Sequence, residues 1–207
     1  MPDRCWSQQM VERVPPIRAF IAIELPETVK KSLAELQQHL RVQPSEGIKW
    51  VSPEGIHMTL KFLGWVAQER IENIESAISH SVTGFEPFNL GLTSLGAFPN
   101  LRRMNVIWCG LSGDIPKLNA LQQSIERYVS PLGYPTENRA FSPHLTLARL
   151  REEVSSETKQ KLAAKITGTN VEPGLTIPVK AVSLMQSTLL PTGAIYTELA
   201  RFQLPLK

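Results

Sequence analysis

Two short segments, His57-Met58-Thr59-Leu60 and His144-Leu145-Thr146-Leu147, sit at matching places in the two halves of this chain. The same order of elements recurs around each. Ile17–Leu25 is a β-branched, apolar run that predicts a strand. Pro26 opens a helix in which Val29, Leu33, Leu36 and Leu40 form one apolar stripe, and 44–47 ends it. Lys49–Val51 predicts a short strand, Ser52–Gly55 a turn and His57–Leu63 the first motif strand. A helix from Gln68, with Ile71, Ile74, Ile78 and Val82 on one face, and a strand over Phe88–Phe98 complete the first half. In the second half, Asn105–Cys109 predicts a strand. Asp114 is the expected cap of a helix carrying Leu118, Leu121, Ile125 and Val129, which Gly133 stops. Phe141–Leu150 predicts the second motif strand and Ser155–Ile166 a helix. Thr176–Ser187 and Ala194–Leu204 predict two strands joined by a turn at Leu190–Gly193. From Phe20 to His57 is 37 residues, and from Val106 to His144 is 38, which points to a duplicated unit. The expected fold is α+β, with two pseudo-symmetric lobes. Each is an antiparallel or mixed sheet with helices on its outer face, and a central cleft carries the two His-x-Thr motifs.

Alternation along a strand turns His57 and Thr59 to one face and Met58, Leu60 and Phe62 to the other. His144 and Thr146 separate from Leu145 and Leu147 in the same way. The apolar face must be core, which leaves each His/Thr face to line the cleft. Histidine titrates near pH 6.5 when unperturbed, so two of them can serve as base and acid on opposite sides of one reaction. Two threonine hydroxyls can hold the non-bridging oxygens of one phosphorus and stabilise charge there. In-line displacement at phosphorus needs a proton removed from the nucleophile and one delivered to the leaving oxygen. His57 and His144 supply both without a metal. Neither motif carries an Asp or Glu on its His face, Glu54 lies in the preceding turn, and no His-x-x-x-His or Cys-x-x-Cys occurs, so no metal or other cofactor is expected. A single His on a strand is more often structural, and His39 and His80, on or beside polar helix faces, take that reading.

The 207 residues carry 42% hydrophobic and 20% charged side chains and a net charge of +3. That balance suits one large globular domain, or two lobes sharing a core, with a mild lean toward anionic partners. Residues 1–16 read as a flexible N-terminal extension and 17–207 as a single two-lobed domain. The start of the chain has no apolar signal region, and no apolar run is long enough to cross a membrane. The two cysteines, Cys5 and Cys109, read as free thiols in a reducing compartment, Cys109 as a small buried hydrophobe. The expectation is a cytoplasmic monomer.

With these flanks the chain resembles the 2H phosphoesterase superfamily, within it the RNA 2′,3′-cyclic phosphodiesterase branch, also called the bacterial-type 2′–5′ RNA ligases. The likeness runs over nearly the whole chain from Arg18. It is carried by Arg18–Ile23, Lys49–Val51, His57–Gly64, Gly96–Pro99, Val106–Trp108, Phe141–Arg149 and the turn region Leu189–Tyr196. The resemblance implies both His/Thr pairs facing one cleft and hydrolysis of a 2′,3′-cyclic phosphate, on RNA ends or nucleotides, to a 2′-phosphomonoester. It implies His144 as the base that activates water, His57 as the acid that protonates the leaving 3′ oxygen, and Thr59, Thr146 and Arg149 around the phosphate. The alternatives are a 2′–5′ RNA ligase or 2′–5′ oligonucleotide phosphodiesterase using the same site, and a non-enzymatic RNA-end binding module.

The resemblance and strand alternation disagree at Arg149. It lies five residues after His144, an odd offset that turns it away unless the strand bulges near Ala148. Lys61, at an even offset from His57, is expected on the His face as an added positive charge. Arg102, Arg103 and Arg139 lie in loops where they could meet RNA phosphates, Arg139 being the candidate substrate contact among them. Trp50, Trp108 and Phe98 could stack a base, with buried core the expected role of each. Trp65 stands where relatives commonly carry a charge, and an exposed tryptophan there would mark a contact surface.

Overall fold

A computed structural model describes residues 14–137, 139–171, 174–191 and 193–206. Most of the expected 1–16 extension, with Cys5, lies outside the described residues. The elements are β1 (Ile17–Glu24), α1 (Glu27–Leu40), β2 (Ile48–Trp50), β3 (His57–Val66), α2 (Ile71–Val82), β4 (Phe88–Phe98), β5 (Val106–Gly113), α3 (Ile115–Val129), β6 (His144–Leu150), α4 (Ser156–Gly168), β7 (Thr176–Val179), β8 (Ala181–Leu190) and β9 (Gly193–Gln203). Two sheets result, ordered β3-β1-β8-β9 and β2-β6-β5-β4-β7. Every neighbouring pair is antiparallel, so of the two sheet types expected the antiparallel one occurs in both sheets.

The two orders match strand for strand. The motif strands β3 and β6 correspond, as do β1 and β5, β8 and β4, and β9 and β7, with β2 added beside β6. The sequence halves are nevertheless not the lobes. β4, from the first half, joins the five-stranded sheet, while β8 and β9, from the second, join the four-stranded one. The connection 99–105 is a hairpin, and adjacent strands joined by a short loop pair antiparallel. The single strand expected over 176–187 divides at Lys180. β7 then pairs with β4, and β8 crosses to β1.

One face of each sheet belongs to a shared apolar core. Ile21, Ile23, Met58 and Leu60 enter it from the four-stranded sheet and Ile107, Leu145 and Leu147 from the five-stranded one. Val29, Leu33, Ile74, Ile78, Leu118, Leu121, Ile125 and Leu162 come from the four helices. Each such side chain, removed from water, contributes about 1.5–3 kcal/mol. α2 packs on α3 and against β8 and β9, α3 reaches β3, and α4 covers β4. α2, α3 and α4 thus pack on the sheets, while residues of α1 and α3 also border the cleft. Asp114 does not cap α3 through its side chain. Its carboxylate accepts from the Asn89 amide instead. The side-chain cap that forms is on α4, where the Ser155 hydroxyl accepts from the Thr158 amide. Cys109 is fully buried, and burial raises its thiol to about 11, as expected of an inert core residue.

Candidate active site

Both motif strands contain a β-bulge at the same position. In β3, Thr59 lies opposite Ala22 and Lys61 opposite Ile21, so Leu60 is the extra residue. In β6, Thr146 lies opposite Trp108 and Ala148 opposite Ile107, so Leu147 is extra. A bulge resets alternation. Up to the threonine, each strand presents His and Thr on the cleft face, and beyond the bulge the odd offsets return to that face. Arg149 is therefore on the side of His144, where it is exposed and lines the cleft. The corresponding residue of β3 is Phe62, which turns to the cleft rather than to the core as alternation predicted.

The same reset overturns the expectation for Lys61. Its side chain is 1% exposed and its ammonium lies 2.6 Å from the Glu126 carboxylate on α3, donating also to the Pro135 carbonyl. Gln122 and Ser130 also donate to the Glu126 carboxylate. Lys61 ties β3 to α3 and to the chain after Gly133, and its charge is spent on Glu126 rather than offered to a substrate. On β6, the carbonyl of the bulged Leu147 accepts from the Val51 amide and from Gln37, whose buried amide also bonds the Val51 carbonyl. Gln37 fixes the bulge that turns Arg149 inward.

His57 and His144 both line a cleft of about 2080 Å3 between the sheets, with Thr59, Thr146, Arg149 and Arg139. Each histidine is held by the backbone two residues earlier. His144 Nδ1 donates to the Ser142 carbonyl at 2.7 Å, which leaves Nε2 with the lone pair of the neutral ring. The Gly55 backbone favours the charged form of the His57 ring through a hydrogen bond. Aromatic rings fix both. His57 stacks on Phe20 at 4.6 Å and meets the edge of Tyr196 at 4.9 Å, and His144 meets Phe98 edge-on at 5.0 Å. Small residues make these approaches possible. A Cβ on Gly55 would lie 3.0 Å from the Tyr196 ring, and one on Gly96 would lie 2.3 Å from Trp108, which packs against Phe98.

Burial pushes the His57 pKa from 6.5 down to about 4, against the Gly55 hydrogen bond that favours the charged ring. The Lys30 and Arg149 charges lower it further. Lys49 on β2 sits directly opposite Arg149 and also faces the cleft, as does Arg41. Neither Lys49 nor Arg149 has an ion-pair partner among the described residues. Like charges side by side repel, and an anion between them relieves the repulsion.

Sequence reasoning missed Phe20, Tyr196, Lys30 and Lys49 as contributors. Phe20, Lys49 and Tyr196 lie within the segments that carried the resemblance, whereas nothing around Lys30 marked it. Of the aromatic candidates, Phe98 borders the site through His144, while Trp108 and Trp50 are partly buried, Trp50 beneath the Arg41 guanidinium. Arg102 and Arg103 donate their backbone amides to Asn100 in an exposed turn outside the cleft lining. His80 bonds the Ser76 carbonyl and stacks with Tyr128, and neither it nor His39 reaches the cleft. No three His, Cys, Asp or Glu side chains among the described residues group as metal ligands.

The family described as LigT like Phosphoesterase matches residues 23–108 and again 110–196, one His-x-Thr strand in each match. The chain belongs to this family. It is 33% identical over 188 residues to the RNA 2′,3′-cyclic phosphodiesterase of Methanothermobacter thermautotrophicus, covering 91% of this chain and 99% of that relative. It is 32% identical over 187 residues to the enzyme of the same name from Thermotoga maritima, covering 90% and 95%. Among solved structures, TT0787 of Thermus thermophilus superposes with a TM-score of 0.75 at 29% identity, covering 91% of this chain and 98% of that one. E. coli LigT complexed with 3′-AMP also gives 0.75, at 25% identity, covering 92% and 99%. The α+β architecture of two antiparallel sheets is that of these LigT-like phosphoesterases.

Proposed function

We propose that the protein hydrolyses 2′,3′-cyclic phosphates on RNA ends or nucleotides to 2′-phosphomonoesters, by acid/base catalysis between His57 and His144 and without a metal or other cofactor. The observation that carries this reading is the convergence of two equivalent His/Thr strands, each bulged after its threonine, on one cleft lined with Arg149. The relatives' shared name, RNA 2′,3′-cyclic phosphodiesterase, supplies the substrate class.

In this reading the cyclic phosphate sits between Thr59 and Thr146, whose hydroxyls hold its non-bridging oxygens, with Arg149 balancing its charge. His144, its Nδ1 proton fixed on the Ser142 carbonyl, takes a proton from water at Nε2. The water oxygen bonds to phosphorus as the bond to O3′ breaks, and His57 protonates O3′. His57 is neutral in the free protein, so it acquires its proton with the anionic substrate, whose charge opposes those of Lys30 and Arg149. A ring with a lowered pKa is a strong acid once it holds a proton. Both motifs come from one chain, which supports a monomer as the active unit. No helix among the described residues is long and apolar enough to cross a membrane. The free thiol of Cys109 fits a reducing compartment, and the cytoplasm is the proposed place of action. Arg139, exposed at the cleft, is assigned to a substrate phosphate.

Incubation with a 2′,3′-cyclic nucleotide in the presence of a chelator tests this directly. The expected product is the 2′-phosphomonoester alone. A 3′-phosphate, or turnover lost to the chelator, contradicts the proposal. A parallel reaction with a 5′-hydroxyl oligonucleotide scores any new 2′–5′ junction.

A further inference from the structure

The cleft face of the four-stranded sheet does not end at Thr59. A second bulge, at Leu63, follows the one at Leu60, since Phe62 pairs with Phe20 while Gly64 pairs with Ala19. The two bulges together place Thr59, Phe62 and Trp65 on one face, opposite Ala22, Phe20 and Arg18 of β1. These three partners are two residues apart along β1, so each step is about 7 Å. Phe62 is 55% and Trp65 69% exposed, on the strand that also presents His57. The Arg18 side chain is exposed beside Trp65 and lines the cleft with Phe62. Phe62 touches Phe20 at 6.3 Å between ring centroids, yet both it and Trp65 leave about half or more of their surface in water, an apolar face open to a partner.

We propose that Phe62, Trp65 and Arg18 form a track that binds the single-stranded RNA chain leading to the cyclic phosphate, with successive bases stacking on the two rings and Arg18 meeting a backbone phosphate. This rests on the phosphodiesterase reading and goes further, making the end of an RNA strand, rather than a free nucleotide, the preferred substrate. Aromatic platforms interleaved with cations are how proteins hold single strands with little sequence preference. The spacing of about 7 Å is twice the roughly 3.4 Å stacking repeat of nucleic acid, so successive bases reach the two rings in an extended strand, parted from each other and each stacked on a ring of its own. The corresponding position of the other motif strand carries Arg149 instead of Phe62. The two walls of the pseudo-symmetric cleft therefore differ in kind, one aromatic and one cationic, which distinguishes the base side of a nucleotide chain from its phosphate side.

The test is the ratio of kcat/KM for a short oligoribonucleotide ending in a 2′,3′-cyclic phosphate to that for a 2′,3′-cyclic mononucleotide. Wild-type protein should favour the oligonucleotide by about tenfold or more. Trp65→Ala should reduce the ratio about tenfold and Trp65→Phe should keep most of it. Arg18→Gln should flatten the salt dependence of the oligonucleotide reaction. Mononucleotide turnover with no preference for the oligonucleotide, or a ratio indifferent to Trp65→Ala, overturns this inference and leaves the phosphodiesterase reading standing. Hydrolysis of neither substrate by wild-type protein overturns both.

Discussion

Acidification should expose the environment built around His57. The ring is buried against Phe20 and Tyr196, and with Lys30 and Arg149 this depresses its pKa from 6.5 to about 4. A depression of that size corresponds to about 3 kcal/mol. Above pH 6.5 the ring is neutral in both the folded and the unfolded chain, and it adds no pH dependence. Between pH 6.5 and about 4 the unfolded chain binds a proton that the folded chain refuses. Stability therefore falls as pH falls, by about 1.4 kcal/mol per unit, until the folded ring protonates as well. Urea unfolding of wild-type protein and His57→Gln at about pH 7.5 and about pH 5 isolates this share. Wild-type protein should lose about 2 kcal/mol more than the variant over that interval. The C2 proton of the His57 ring should show the same titration by NMR, and adding 2′-AMP should raise its midpoint, with net proton uptake on binding near pH 6. A ring titrating near 6.5 in the free protein, or an equal acid slope in His57→Gln, refutes the reasoning.

Three further outcomes follow from the packing. Lys61→Met strands the Glu126 carboxylate and should cost about 3–5 kcal/mol in urea unfolding, much of it restored by adding Glu126→Gln. Gln37→Leu deprives the Val51 and Leu147 carbonyls of a donor and should destabilise by about 1–3 kcal/mol. Because Gln37 braces the bulge before Arg149, the same variant should raise KM for a cyclic nucleotide, and an unchanged KM counts against that bracing. Gly55→Ala pushes a methyl toward Tyr196, so it should lower kcat through His57 while global stability falls by less than about 2 kcal/mol.

Much of the site was legible because it repeats. Two His-x-Thr-Leu segments in equivalent strands singled out His57, His144, Thr59 and Thr146 as candidates, and all four line the cleft, while the apolar stripes marked the helices. The limits lie where a local pattern depends on backbone partners elsewhere. Alternation counts residues, and a bulge adds one residue without any mark in composition. It therefore sent Phe62 to the core, offered Lys61 as a free charge where its side chain is buried against Glu126, and left Arg149 in dispute with the resemblance. Periodicity also locates a strand without naming its neighbour. Nothing in Phe88–Phe98 or Ala181–Leu190 says that each crosses to the other lobe's sheet. The low pKa of His57 was hidden for the same reason, since Phe20, Tyr196 and Lys30 reach it only through tertiary pairing.

The central claim is that two equivalent motifs make one catalytic site for a cyclic phosphodiester. Hydrolysis of a 2′,3′-cyclic nucleotide should be compared in wild-type protein, His57→Ala and His144→Ala, each checked for folding by near-UV circular dichroism. Each single variant should lose at least about a hundredfold in kcat, as removal of an acid or a base from proton transfer does. Near-wild-type turnover by either folded variant would contradict the account.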